Sequence, residues 1–219
     1  MQLSSQTHIR PTFKRGVFQA VLVGAIMYSA LGLYLVVLRW RGAAATFITA
    51  TSLDELLPFW PSWVWIYLLP YITAPILIGF LTPVTFAWYI RRGLVVIALT
   101  LVIFVIYPTQ IDGTHRGAFT GSGVTASMYK NMIEIDDPPA NAAPSLHVSL
   151  TFLLVLALWR DFPRWWAVWV GLAGLVWLST LVTRQHHFID VLSGILLACA
   201  VTILFAALAP RARAQVGTA

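Results

Sequence analysis

A chain of 219 residues with 59% hydrophobic and only 10% charged side chains, at a mean hydropathy of +0.80, stands far from the roughly 25% charged of an average soluble domain. That composition excludes a soluble globular fold and predicts an all-α polytopic membrane protein, with room for about six helical spans at about 20 apolar residues each. The net charge of +6 would suit nucleic acid, but the cations stand singly or in pairs beside apolar runs and form no stripe, which argues against that partner.

In chain order, the apolar runs Val17–Leu38, Trp63–Leu81, Gly93–Tyr107, Ser149–Trp159, Trp165–Val182 and Val191–Pro210 predict a six-transmembrane-helix bundle. The membrane catalytic domain is expected over 17–210, with its core at 93–210, between a short N-terminal segment (1–16) and a C-terminal tail (211–219). Val17–Leu38 is longer than the about 7–15 apolar residues of a secretory leader, so it reads as a retained anchor. The third and fourth runs are short; the fourth reaches spanning length only if it starts near Pro144 and ends by snorkelling Arg160. Cys199 sits in an apolar run, where it reads as a small packing residue.

Threading six spans alternately puts Arg10, Lys14, Arg15, Arg91, Arg92, Arg160, Arg164, Arg211 and Arg213 on one side with Asp161. By the positive-inside rule that side is cytoplasmic, and so are both termini of a cell-membrane protein. The other side receives Asp54, Glu55, Asp112, Glu134, Asp136, Asp137 and Asp190 with Arg39, Arg41, Arg116, Lys130 and Arg184. On this threading Arg91-Arg92 flank the third span. The tryptophans, Trp60, Trp63, Trp165 and Trp166 among them, fit an interfacial belt. The outer segment Pro108–Ala143 is long enough for a lid, with a short helix expected around Ser127–Ile135.

Two motifs in the second half carry ionisable groups next to apolar runs: Pro144-Ser145-Leu146-His147, and Arg184-Gln185-His186-His187-Phe188-Ile189-Asp190. Polar groups at such places need a reason. His147 and His186 are separated by one crossing, a tight turn at Asp161-Phe162-Pro163, and a crossing back, so both motifs emerge on the outer face at the ends of neighbouring helices. Asn141 or Ser145 can cap the fourth helix, with Pro144 in its first turn. Free amides there favour an anion, phosphate above all. His186 and Asp190 are four apart, so they share a helix face and the carboxylate can hold one imidazole nitrogen. Arg184, in the lead-in, suits bidentate contact with phosphate oxygens. Gly194 reads as a close-packing position. His8 and His115 carry no specific signal.

The Pro144–His147 motif and the His186-x3-Asp190 pattern resemble the second and third signature motifs of the type 2 phosphatidic acid phosphatase superfamily, in its integral-membrane branch. Leu146 between serine and histidine, after Asp137-Pro138-Pro139-Ala140-Asn141, is similar to bacterial lipid phosphatases and inositol-phosphorylceramide-synthase-like transferases. The resemblance covers roughly Tyr107 to Gly194. It implies that His186 is a nucleophile forming a phosphohistidine, that Asp190 orients it, that His147 exchanges protons with leaving and entering groups, and that Ser145 binds the phosphate. No metal or other cofactor is implied. The substrate would be a lipid phosphate or a polyprenyl (pyro)phosphate, hydrolysed or transferred at the outer face.

Two cationic positions of that family are not filled. The first motif, Lys-x6-Arg-Pro, has no match, because Lys130 stands the right distance ahead of Asp137-Pro138 and the arginine is missing. Thr180 occupies the place of the third motif's arginine. Arg184 is expected to replace the second clamp, and Arg116 or Lys130 the first, Arg116 being favoured because Tyr107-Pro108-Thr109 leads straight into its loop. His187 is also three residues from Asp190; the family pattern favours His186 as nucleophile and leaves His187 as an interfacial or substrate-contacting ring. Two other readings compete. A metal-dependent hydrolase would use His147, His186, His187 and Asp190 as ligands, but there is no His-Glu-x-x-His helix. A transporter would place broken helices and polar groups near the bilayer midplane.

Overall fold

The computed structural model describes residues 11–111, 121–135 and 140–209. The tail 211–219 and most of the N-terminal segment 1–16 lie outside the described residues. Helices follow in the order α1 Phe13–Arg41, α2 Ser52–Leu56, α3 Val64–Leu68, α4 Pro70–Gly79, α5 Pro83–Ile106, α6 Val124–Ile135, α7 Leu146–Asp161, α8 Trp166–Val182 and α9 Phe188–Leu208. Two three-residue strands, β1 Thr46–Ile48 and β2 Thr109–Ile111, pair in parallel with Thr46 opposite Thr109. This ribbon, with an isolated bridge between Gln110 and Ala140, departs from an all-α fold. It ties the segment after α1 to the segment after α5.

Among the described residues five stretches are long and apolar enough to cross a membrane: Phe13–Ala44, Pro61–Gly79, Pro83–Ile106, Pro163–Val182 and Phe188–Leu208. The protein is therefore a helical, multi-pass membrane protein, in which one expected span is shorter than these five. The fourth expected span is α7, of 16 residues, about 24 Å at 1.5 Å per residue. Ser145 caps it at one end, and Phe162-Pro163 stops it at the other. It is also the most enclosed helix, packed against α4, α5, α8 and α9, with Val148, Leu153 and Ala157 fully buried. A helix walled in by others presents little of its own surface to lipid, so its length is set by its neighbours.

The other boundaries move for local reasons. The second expected span divides into α3 and α4 at Leu69-Pro70, where proline has no amide hydrogen to continue the ladder. The third starts at Pro83, ten residues ahead of Gly93. Its N-terminus is closed by the Asp161 carboxylate, which accepts from the Thr82 amide and the Thr85 hydroxyl, each at 2.6 Å. Arg91 and Arg92 therefore lie inside α5 and do not flank it. Arg92 is buried, with its guanidinium 4.3 Å from the Trp88 ring and 4.6 Å from the Phe205 ring, and it donates to the Trp88 carbonyl at 3.2 Å. The side chain thus bends back along the helix, in the manner of a snorkelling cation.

Glycines set two helix approaches. A Cβ on Gly16 would stand 2.8 Å from the Gly79 carbonyl oxygen, so α1 and α4 cross at backbone contact. A Cβ on Gly194 would stand 2.7 Å from the Ser145 carbonyl oxygen, so α9 meets the start of α7 just as closely. The second approach positions the site. The main core lies between α1, α4, α5, α7 and α9, around Ile78, Leu81, Val96, Leu153 and Ala198. The site sits at one end of that core.

Candidate active site

The start of α7 is built by Ser145. Its hydroxyl accepts from the Val148 amide at 3.4 Å, the N-cap arrangement that satisfies a first-turn donor. Its own amide donates to the Asp190 carbonyl at 3.2 Å, across to α9. Ser149 strengthens the seam, donating from one hydroxyl toward the Ser145 and Gly194 carbonyls at 2.8 and 2.9 Å. Of the two expected caps, Ser145 is the one used. Asn141 is instead buried at a φ of 58°, with its side-chain amide donating to the Tyr34 carbonyl. Pro144 precedes the cap and is not in the first turn, as had been expected.

The start of α9 supplies the other half. His187 is its N-cap residue, so His186 stands one position ahead of the helix. The backbone there is held by the end of α8, since the amides of Gln185 and His186 both donate to the Thr180 carbonyl, at 2.9 and 3.1 Å. Asp190, fully buried, accepts from the His187 amide at 2.8 Å. The same carboxylate oxygen lies 3.4 Å from Nδ1 of His186. That is looser than a well-formed hydrogen bond, but catalytic contacts often tighten when substrate binds. A carboxylate at Nδ1 favours the tautomer with the proton there, which leaves the Nε2 lone pair free to act. Nε2 in turn lies 3.0 Å from the Ser145 hydroxyl.

His147 completes the cluster from the first turn of α7. Its ring is 6.5 Å from that of His186, nearly edge-on, and it is held between Tyr67 at 4.4 Å and Tyr71 at 5.3 Å. Two imidazoles thus lie close together at this end of the core, one backed by a carboxylate and the other by tyrosines. Such a pair suits a group that is attacked by one ring while its leaving oxygen is protonated by the other. Among the described residues no three His, Cys, Asp or Glu side chains converge as a metal ion would need.

Ser145, His147, His186 and Asp190, picked out from two distant motifs, are therefore brought together. The expected cations stand differently. Arg184 sits at a φ of 55°, with its guanidinium 5.2 Å from the Phe59 ring. Lys130, on α6, is exposed and donates to the Gly121 carbonyl at 3.4 Å. Arg116 lies outside the described residues. His187 is corrected: it is fully buried and caps α9, and is not an interfacial ring. α6, spanning Val124–Ile135, contains the short helix expected at Ser127–Ile135, and its Tyr129 hydroxyl donates to the Thr183 carbonyl at 3.1 Å.

Sequence reasoning missed three neighbours of the site. Tyr67 and Tyr71 are four apart in an apolar run, a spacing that puts them on one face, but in so hydrophobic a segment they read as packing. Asp54 was one acid among several in an outer loop. It is 5% exposed, and it accepts from the Thr51 amide and hydroxyl, both at 2.7 Å, and from the Phe188 amide at the start of α9, also at 2.7 Å. Burial raises the pKa of its carboxyl, but these hydrogen bonds, with His187 alongside, outweigh that and hold it below the usual carboxylate value. The Thr51-x-x-Asp54 capping-box spacing was the signal available for it.

A family model described as the PAP2 superfamily matches residues 63–214. Inositol phosphorylceramide synthase of Candida albicans is 40% identical over 60 residues, which cover 27% of this chain and 13% of that protein. No solved structure matches. With a family match over more than half of its length, carrying both histidine motifs, the chain belongs to the PAP2 superfamily, whose members are phosphatases or phosphotransferases.

Proposed function

We propose that the protein is a membrane phosphatase that hydrolyses a lipid phosphate or pyrophosphate through a phosphohistidine on His186, without a metal. The observation that carries this reading is the cluster of Asp190, His186, Ser145 and His147, with distances of 3.4 Å and 3.0 Å at the two nitrogens of His186 and the His147 ring 6.5 Å from that of His186. In the first step Nε2 of His186 attacks phosphorus. The bond to the leaving oxygen breaks, and His147 gives that oxygen its proton. In the second step His147 takes a proton from water, the new oxygen attacks phosphorus, and the bond to Nε2 breaks to release phosphate. Asp190 stabilises the charge on His186, and Ser145 with the first amides of α7 meets the phosphoryl oxygens. Arg184, with Arg116 or Lys130, would supply the remaining positive charge. Within a membrane domain over 17–210, the positive-inside rule puts this cluster on the extracytoplasmic face and both termini in the cytoplasm.

The match to inositol phosphorylceramide synthase favours a second reading, in which an alcohol takes the place of water at the phosphohistidine and the product is the phosphate monoester of that alcohol. The two readings share every residue and differ in the acceptor. Phosphate release from a panel of lipid phosphates and pyrophosphates, with and without alcohol acceptors, separates them. Vanadate should inhibit and chelators should not. H186A should lose at least three orders of magnitude in turnover, on the order of what removing a nucleophile costs. An active, folded H186A would refute the assignment, and loss of wild-type activity in chelator would point to a metal.

A further inference from the structure

The start of α9 is held by two carboxylates of different origin. Asp190, one turn into the helix, takes the His187 amide and backs the His186 imidazole. Asp54 comes from α2 in the loop after α1, 134 residues away in sequence, and takes the next amide, that of Phe188. Its other oxygen is occupied by Thr51, whose amide and hydroxyl it accepts, so the loop that carries it is itself locked. The Asp54 oxygen that holds Phe188 also lies 3.8 Å from Nδ1 of His187, which is fully buried. A second tie runs alongside, since the Trp60 amide donates to the Val182 carbonyl at 2.8 Å at the end of α8.

Two consequences follow. Negative charge at a helix N-terminus is favourable, and here it occupies the two amides that would otherwise bind an anion. Substrate phosphate is thereby directed to the start of α7, beside Ser145. Moreover, His186 sits directly ahead of the capped residue, so rotation of this first turn would swing its imidazole away from both Ser145 and Asp190. Asp54 lies outside the 63–214 stretch matched by the family model, in the loop that follows α1.

We infer that Asp54 is a positioning residue for the phosphoryl transfer: by gripping the Phe188 amide it fixes the first turn of α9 and so holds His186 on the line between Ser145 and Asp190. The inference rests on His186 being the nucleophile. Asp54 acts through the helix terminus and touches no reacting atom. Its removal is felt in the chemical step, and substrate binding at the start of α7 stays intact.

The test combines kinetics with hydrogen exchange on the full-length protein in lipid nanodiscs. D54A should lower kcat ~10–100-fold, the scale at which misplacement of a reacting group is felt, with KM changed less than about two-fold on that same ground. D54N keeps a carbonyl oxygen able to accept from Phe188, so it should fall between wild type and D54A. In parallel, exchange in the peptide spanning residues 183–192 should accelerate in D54A, while α5 and the rest of α9 stay as protected as in wild type. An unchanged kcat, a rise confined to KM, or unaltered exchange at 183–192 would overturn the inference. The exchange arm does not depend on activity. A wild-type protein inert toward every lipid phosphate would defeat the proposed function, while the exchange result would still decide whether Asp54 holds the terminus.

Discussion

Ser145 does three things at once: it caps α7, ties its amide to the Asp190 carbonyl, and brings its hydroxyl to 3.0 Å from Nε2 of His186. The roles can be separated by substitution. S145A keeps the backbone tie but loses the cap, at a cost of about 1 kcal/mol of stability. It also loses the donor proposed to meet developing phosphoryl charge, so turnover should fall on the order of 10²-fold. S145G, which forfeits only a few tenths of a kcal/mol as a cap, should lose the same activity while melting close to wild type. Equal activity in both variants and wild type would remove the serine from the phosphate site. The residues proposed as catalytic were legible because each lies in a short motif whose spacing has local meaning, His186 and Asp190 four apart and Ser145 just before His147. Asp54 was not, since its partner Phe188 is 134 residues away and nothing in the run around it points there. His187 was misjudged for a related reason: a histidine at an outer helix start reads as interfacial until the loop that covers it is seen.

At the level of elements, helix type and order were readable from the apolar runs, but ends and breaks were not. Arg91-Arg92 was taken as a boundary because two adjacent cations seldom sit within a span. Stacking on Trp88 and Phe205 lets Arg92 remain inside α5. Loop 42–63 and the β1–β2 ribbon were invisible because three-residue strands leave no period to detect. The contact of α7 with α9 was partly legible through Gly194, four residues after Asp190. It is among the tightest contacts between helices, and overpacking it should act on both stability and function. G194A would press a methyl group to 2.7 Å from the Ser145 carbonyl and 3.2 Å from the Ser149 hydroxyl. The expected cost is about 1–3 kcal/mol, with activity falling further than stability because the displaced residue carries the hydroxyl proposed to bind phosphate. A thermal melt beside a turnover assay checks this; a G194A protein as stable and as active as wild type would mean that the seam yields without moving the site.

Across the whole molecule, a short enclosed helix and a longer, more exposed one pack side by side with their polar starts together. α7 is walled by α4, α5, α8 and α9, whereas α9 exposes Leu196, Ile203 and Leu208. Burying α7 makes its N-terminus rigid, and rigidity is what electrostatic preorganisation requires. The first loop, through Asp54 and Trp60, and α6, through Tyr129, close around the same end. The proposed mechanism passes through a covalent phosphoryl group at His186, and the most direct measurement is to trap it. H147Q given a phosphate ester whose leaving group needs no proton should form the phosphohistidine but discharge it slowly, because the base that activates water is gone. After rapid alkaline quench and proteolysis, mass spectrometry should find phosphate on the peptide containing His186, and none in the H147Q/H186A double variant. Phosphate release without any label at His186, or a label on another residue, would contradict the mechanism.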